Sequence, residues 1–143
     1  MKKFFAGIMV SVLLCSFGSI SFAQSSPKVI AYYLHTIARC VSCHKIEQYT
    51  ESALKEYFAK EIESGDLVYQ VLNIEDKENE HFVQDYKLYT KSVVLSLVKN
   101  GKEVKFKNLE KVWHLLRNEN GFHEYIKEET QSFLDSLEGG GQS

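Results

Sequence analysis

Two cysteines three positions apart, Cys40 and Cys43, sit in the run Arg39-Cys40-Val41-Ser42-Cys43-His44. At the start of a helix this spacing brings two sulfurs within disulfide range without unwinding a turn. The first cysteine then stands near the N-cap, where free backbone N–H groups and the positive helix end stabilise a thiolate. Cys40 is the nucleophile of such a pair, and Cys43, one turn further in, resolves the mixed disulfide. Arg39 adds a positive charge beside the pair if its side chain points that way. His44 is either a modulator of the thiol, since an imidazolium nearby favours thiolate, or a solvated position on the first helical turn. A bridge closing so short a loop constrains the unfolded chain very little, so stabilisation is a weak reason for it.

Other chemistries use the same residues. Cys40-Val41-Ser42-Cys43-His44 also matches the C-x-x-C-H attachment sequence of c-type haem. Both methionines, Met1 and Met9, fall in the amino-terminal apolar segment. A second axial ligand would therefore have to come from His35, His81, His114 or His123. A Cys/Cys/His metal site would lack an evident fourth ligand and the second pair of a zinc ribbon. The expectation is no metal, and no cofactor other than a redox-active Cys40–Cys43 disulfide. His35 is a candidate proton acceptor for Cys43, and a plain strand-end histidine otherwise.

The surrounding elements follow from pattern. Residues 28–35 are nearly continuous in β-branched and aromatic residues, as in a strand buried on both faces. From Cys40 the apolar positions Cys43, Ile46, Tyr49, Ala53, Leu54, Tyr57, Phe58 and Ile62 recur at helical steps, ended by Gly65-Asp66. A second strand spans 67–74, and a short helix carries Phe82, Val83 and Tyr86. A third strand covers 92–98. Asn100-Gly101 turns it into a half-exposed fourth strand at 103–106. The remainder reads as helical from Leu109 to Leu137. This order predicts an α/β thioredoxin-like fold, a four-stranded mixed sheet flanked by helices. The cysteine pair falls at the junction of first strand and first helix.

The chain has 143 residues, enough for one domain. Met1-Lys2-Lys3, an uncharged run to Ile20 and small residues at Ser21 and Ala23 predict a cleaved signal peptide over 1–23. Cys15 belongs to that apolar run. A retained anchor is the alternative, because the run approaches the ~18 residues a spanning helix needs. Residues 24–27 form a linker, 28–138 the domain and 139–143 a Gly-rich tail. Losing Lys2 and Lys3 from 17 basic residues leaves 15 against 19 acidic, a net of −4, which offers no footprint for nucleic acid. The expected product is a monomer outside the cytoplasm, periplasmic or extracellular, where a disulfide persists. Its expected partner is a protein thiol or disulfide, a membrane redox protein among the candidates.

The segment Arg39-Cys40-Val41-Ser42-Cys43-His44-Lys45-Ile46-Glu47 resembles the small exported proteins of the nitrophenyl compound nitroreductase subunit family, ArsF type. So do Glu78-Asn79-Glu80-His81-Phe82-Val83, Tyr89-Thr90-Lys91-Ser92 and Asn108-Leu109-Glu110-Lys111-Val112-Trp113. The Cys-x-x-Cys-His-Lys run also resembles the active site of periplasmic disulfide isomerases. The resemblance implies a thioredoxin fold with Cys40 as nucleophile and Cys43 as resolving thiol. No Gly-rich dinucleotide fingerprint accompanies the nitroreductase name, so the expected activity is thiol–disulfide exchange. The alternative is a binding module on the same fold whose cysteines are bridged or hold a metal. Thioredoxins place a cis-proline before the third strand, where this chain has Ser92 and Val93, the substrate-groove candidates. A non-proline cis bond costs about 2.5–4 kcal/mol, so a trans bond is expected. Arg39 replaces the tryptophan that precedes the first cysteine, and Leu34 stands near the place of the buried acid.

Overall fold

A computed structural model describes residues 25–138. The signal peptide expected over 1–23, the first residue of the expected linker and the tail at 139–143 lie outside the described residues. Among the described residues, no helix is long and apolar enough to cross a membrane.

The strand β1 (Lys28–His35) is buried along nearly its whole length and occupies the middle of the sheet. β2 (Leu67–Asn73) pairs with it in parallel, from Val29 opposite Leu67 to His35 opposite Asn73. β3 (Ser92–Lys99) pairs antiparallel on the other side, with Leu34 opposite Ser92, and β4 (Lys102–Asn108) closes that edge. The order β2-β1-β3-β4 is the expected mixed sheet. A parallel pair cannot be joined by a tight turn, so a helical crossover must separate β1 from β2. α1 (Val41–Tyr57) and α2 (Ala59–Ser64) supply it.

Alternation along β1 divides the interior. Val29, Ala31 and Tyr33 face the larger core, with Ile46 and Leu54 of α1 and with Phe122, Ile126 and Phe133 of α4 (Glu119–Glu138). Ile30, Tyr32 and Leu34 face a smaller core shared with Tyr86, Leu88 and Val94. The helix α3 (His81–Asp85) covers that side, with Phe82 packed against it. Because both faces are covered, β1 reads as a continuous apolar run.

Three details differ from the pattern. The helical stretch from Cys40 to Ile62 is broken at Phe58, whose φ of −130° leaves helical geometry while its side chain is buried in the larger core. α2 then stops at Gly65, whose φ of +85° is a conformation glycine adopts without a Cβ penalty. The stretch after Leu109 is likewise not one helix. A 3-10 turn at Glu110–Trp113 comes first, and α4 starts after Asn118. The Asn118 side-chain oxygen accepts the Gly121 N–H at 3.0 Å, the contact of an N-cap.

The fourth strand is not a simple alternation either. A bulge opposite Leu97 and Val98 puts one extra residue into β4 between Glu103 and Lys105. In a regular strand, residues 103, 105 and 107 would share a face. Here Lys105 lies over the Phe133 ring and Lys107 pairs with Glu129 at 2.7 Å, both on the α4 side. Glu103 turns instead to the α3 side, where its carboxylate accepts the Tyr86 hydroxyl at 2.6 Å and the Ser96 hydroxyl.

Candidate functional site

The C-terminal end of β1 delivers the chain into residues 36–39 and then into α1. Two contacts hold this connection: the Ile74 N–H donates to the His35 carbonyl at 2.8 Å, and the Ile37 N–H to the Glu75 carboxylate at 2.5 Å. The connection ends at Cys40, which is the N-cap of α1 with an extended backbone. The His44 N–H donates to the Cys40 carbonyl at 3.1 Å, and the Cys43 N–H to Cys40 Sγ at 3.3 Å. No acidic residue occupies the first turn of α1, so nothing there offsets the positive end of a 17-residue helix.

Cys40 and Cys43 form a disulfide, with Cα atoms 5.0 Å apart. The two sulfurs belong to different environments. Cys40 is exposed, whereas Cys43 is fully buried on the core face of α1. Only one end of the bond is therefore open to an in-line approach. The Cys43 N–H and the helix end are directed at Cys40 Sγ, an arrangement that favours negative charge there.

Beneath the pair lies a polar layer that the pattern of residues did not reveal. The Tyr33 hydroxyl donates to the Cys43 carbonyl at 2.7 Å and is buried. Arg39 folds back over the Tyr33 ring, 5.7 Å from its centroid, and pairs with Glu47. The Tyr69 hydroxyl reaches the Glu47 carbonyl at 3.5 Å. Burial pushes the Tyr33 phenol up, against the lowering pull of Arg39. Burial chiefly, then Glu51, drives the Tyr69 phenol further up. Both hydroxyls thus stay protonated donors, fastening the first turns of α1 to β1 and β2. Two adjacent tyrosines inside an apolar strand were the available signal, because a buried phenol needs a hydrogen-bond partner.

The other predicted positions divide. Arg39 is committed to Glu47. His44 is exposed on α1, and His35 is half-buried with Nδ1 3.0 Å from the Thr36 carbonyl oxygen. Ser92 and Val93 begin β3 beside the end of β1, but their side chains are buried. Val93 belongs to the larger core, and the Ser92 hydroxyl donates to the Thr90 carbonyl at 2.9 Å. The surface at this point is made by Tyr89 and Thr90. No cis peptide bond occurs among the described residues, as expected for a position without proline.

The last part of the site is the 3-10 turn. Its Trp113 Nε1 donates to the Lys91 carbonyl at 3.0 Å, and the Leu109 N–H to the Val93 carbonyl at 2.8 Å. These bonds hold Trp113 and His114 against the loop that enters β3. Of the other histidines, His81 pairs with Asp85 at 2.7 Å and His123 contacts Ser52 and Glu56. Among the described residues, no three His, Cys, Asp or Glu side chains gather into a metal cluster.

No family model matches the chain, and no curated protein does. The ArsF-type resemblance thus has no support from sequence comparison. Solved structures similar to it include the thioredoxin of Fasciola hepatica, at 20% identity and a TM-score of 0.41, over 71% of this chain and 80% of that one. The oxidised thioredoxin of Plasmodium falciparum is similar at 14% identity and a TM-score of 0.43, over 71% and 81%. The thioredoxin of Entamoeba histolytica matches at 17% and 0.41, over 73% and 84%. These scores are low, and the thioredoxin-like fold rests on the chain's own strand order, its β1–α1–β2 crossover and its terminal helix.

Proposed function

We propose that this chain is an exported thiol–disulfide oxidoreductase that exchanges the Cys40–Cys43 disulfide with a protein partner. The observation that supports the reading is the asymmetry of the bond: an exposed cysteine at a helix N-cap joined to a fully buried one. From the oxidised state, a partner thiolate attacks Cys40 Sγ. The bond between Cys40 and Cys43 breaks, a mixed disulfide forms, and Cys43 leaves as a thiolate that takes up a proton. A second partner thiolate then attacks the partner's own sulfur in the mixed disulfide and releases Cys40. Two electrons and two protons have passed to the chain, and the partner dithiol has become a disulfide. The reverse reaction runs through the same mixed disulfide with Cys40 as attacking thiolate.

The protein's contribution is to keep these roles separate. Burial denies Cys43 to outside sulfurs, while the N-cap supports charge on Cys40. The Tyr33 bond to the Cys43 carbonyl holds the turn in place as the disulfide opens. Export is supported by the basic, apolar and small-residue succession over 1–23.

Trapping tests the exchange. Substituting Cys43→Ser, in cells exporting the full chain, is expected to accumulate mixed disulfides on Cys40 that a reductant releases. Cys40→Ser is expected to accumulate none. In the reduced wild type, iodoacetamide should modify Cys40 well before Cys43. Equal reactivity of the two thiols together with an absence of adducts would overturn the reading and leave a binding module.

A further inference from the structure

The segments that flank Cys40 carry unusual apolar exposure for the described residues. Val41 is 86% exposed, Ile37 76% and Tyr89 97%, the three most exposed large apolar side chains among the described residues. Val41 follows Cys40 in the chain, Ile37 lies in the connection before it, and Tyr89 shares a cavity lining with Trp113 and His114. Exposed apolar side chains grouped beside a reactive residue mark a contact surface more than scattered ones do. Two cavities meet there. One, of about 430 Å³, is lined by Val41, Ser42, Lys45, Trp113, His114 and Arg117 among others. The second, of about 210 Å³, runs on from Trp113 and His114 to Tyr89, Thr90 and Glu110. Since they share Trp113 and His114, they form one trough beside the N-terminus of α1.

Its charge is uneven. The end next to Val41 and Ser42 holds Lys45 and Arg117, with His114 exposed between the two cavities, and no carboxylate lines that end. Lys45 lies over the Tyr49 ring, and Arg117 is exposed with no ion pair among the described residues. The single carboxylate lining the trough, Glu110, belongs to the Tyr89 end. This is a local excess of positive charge on a domain with more acidic than basic residues overall. Such a field speeds the approach of negatively charged partners and slows others.

We propose that the trough seats the cysteine-bearing segment of the partner protein in an extended form, with an acidic side chain of that segment set against Lys45 and Arg117. The proposal rests on the exchange reading and adds the chemistry of its substrate. Trp113 and Tyr89 supply apolar contact along the segment. Val41, beside Cys40, meets the residue next to the partner's cysteine. The selection acts on the encounter, so it shows in the rate of mixed-disulfide formation and weakens as salt screens it.

The experiment uses the oxidised wild-type domain and three single-cysteine peptides whose flanking residues are Glu, Gln or Lys, with 2-mercaptoethanol as a small thiol. Reduction of Cys40–Cys43 is followed by alkylation and mass shift, and rates are taken per thiolate. At low ionic strength the Glu peptide is expected to react about tenfold faster than the Lys peptide. The ratio should approach one in 0.5 M salt, and the double substitution K45E/R117E should invert it. Equal rates for all three peptides, with 2-mercaptoethanol still reducing the bond, would overturn the trough's specificity alone. A bond that none of the four thiols reduces in the folded domain would overturn the exchange reading beneath it.

Discussion

The two faces of the sheet are closed by different means. On one, α1 and α4, helices of 17 and 20 residues, bury Val29, Ala31 and Tyr33 under aliphatic and phenylalanine side chains. On the other, α3 has only five residues. Rings complete that cover: Phe82 stacks with Tyr86 at 5.5 Å, Tyr32 tilts against Phe82 at 5.2 Å, and Phe106 approaches Tyr86 at 4.8 Å. A carboxylate and two hydroxyls tie the group together through Glu103, Tyr86 and Ser96. Where a long helix can be laid down, apolar area forms most of the cover and directed bonds gather at the first turns of α1. Where it cannot, a cluster of aromatic rings with its own hydrogen bonds takes the helix's place. The cysteine pair belongs to the first face, where the helix start that carries it is held by a deep core.

If that division is right, the largest loss comes from the α4 face. Phe122 is fully buried, and Phe122→Ala is expected to lower unfolding free energy by about 3–5 kcal/mol in urea titration. A loss no greater than that of a ring on the α3 side would erase the contrast. The next effect belongs to the α3 face. Glu103→Ala strands the buried donors of Tyr86 and Ser96, and should cost about 1–2 kcal/mol in the same titration. An unchanged midpoint would mean that the rings alone close this side.

The smallest effect sharpens the same point with pH. The Tyr86 phenol is driven far up, first by burial and then by its bond to Glu103. In the unfolded chain a tyrosine loses its proton near pH 10, while folded Tyr86 keeps it. The folded state then binds more protons, so stability is whole below about pH 10 and declines above it, by about 1 kcal/mol at pH 11 from this residue. Comparing wild type with Tyr86→Phe between pH 9 and 11 isolates it. The variant should show the shallower decline, and parallel declines would count against the Tyr86–Glu103 bond as a stabilising contact.

Much of the architecture was legible because it is periodic. β1 and β3 announce themselves by continuous apolarity, and the position of Cys40 at a strand–helix junction follows once the helical steps from Cys43 are counted. What was not legible depends on single residues meeting across the fold. Phe58 fits a helical period, so its departure from helical geometry leaves no trace in spacing. The β4 bulge inserts a residue without changing composition, and only the pairing with β3 shows that Glu103 and Lys105 face opposite ways. At the site, Arg39 reads as a charge offered to the thiolate, yet it closes on Glu47, two turns into α1. The bond from Tyr33 to the Cys43 carbonyl joins residues ten apart on different elements. Neighbouring residue types indicate such a bond only after the strand and helix have been stacked.

The bulge has a consequence beyond stability. β4 is an outer strand, with backbone groups that another chain could use to extend the sheet. It reads Lys102-Glu103-Val104-Lys105-Phe106-Lys107, and the bulge sends its charges to both faces and twists the rim locally. A second copy laying its own β4 alongside would meet lysines on one side and a carboxylate on the other. In a parallel, in-register pairing each of these charges would face its own copy. The irregularity that delivers Glu103 to Tyr86 thereby also makes this rim a poorer template for a second strand than a flat one would be.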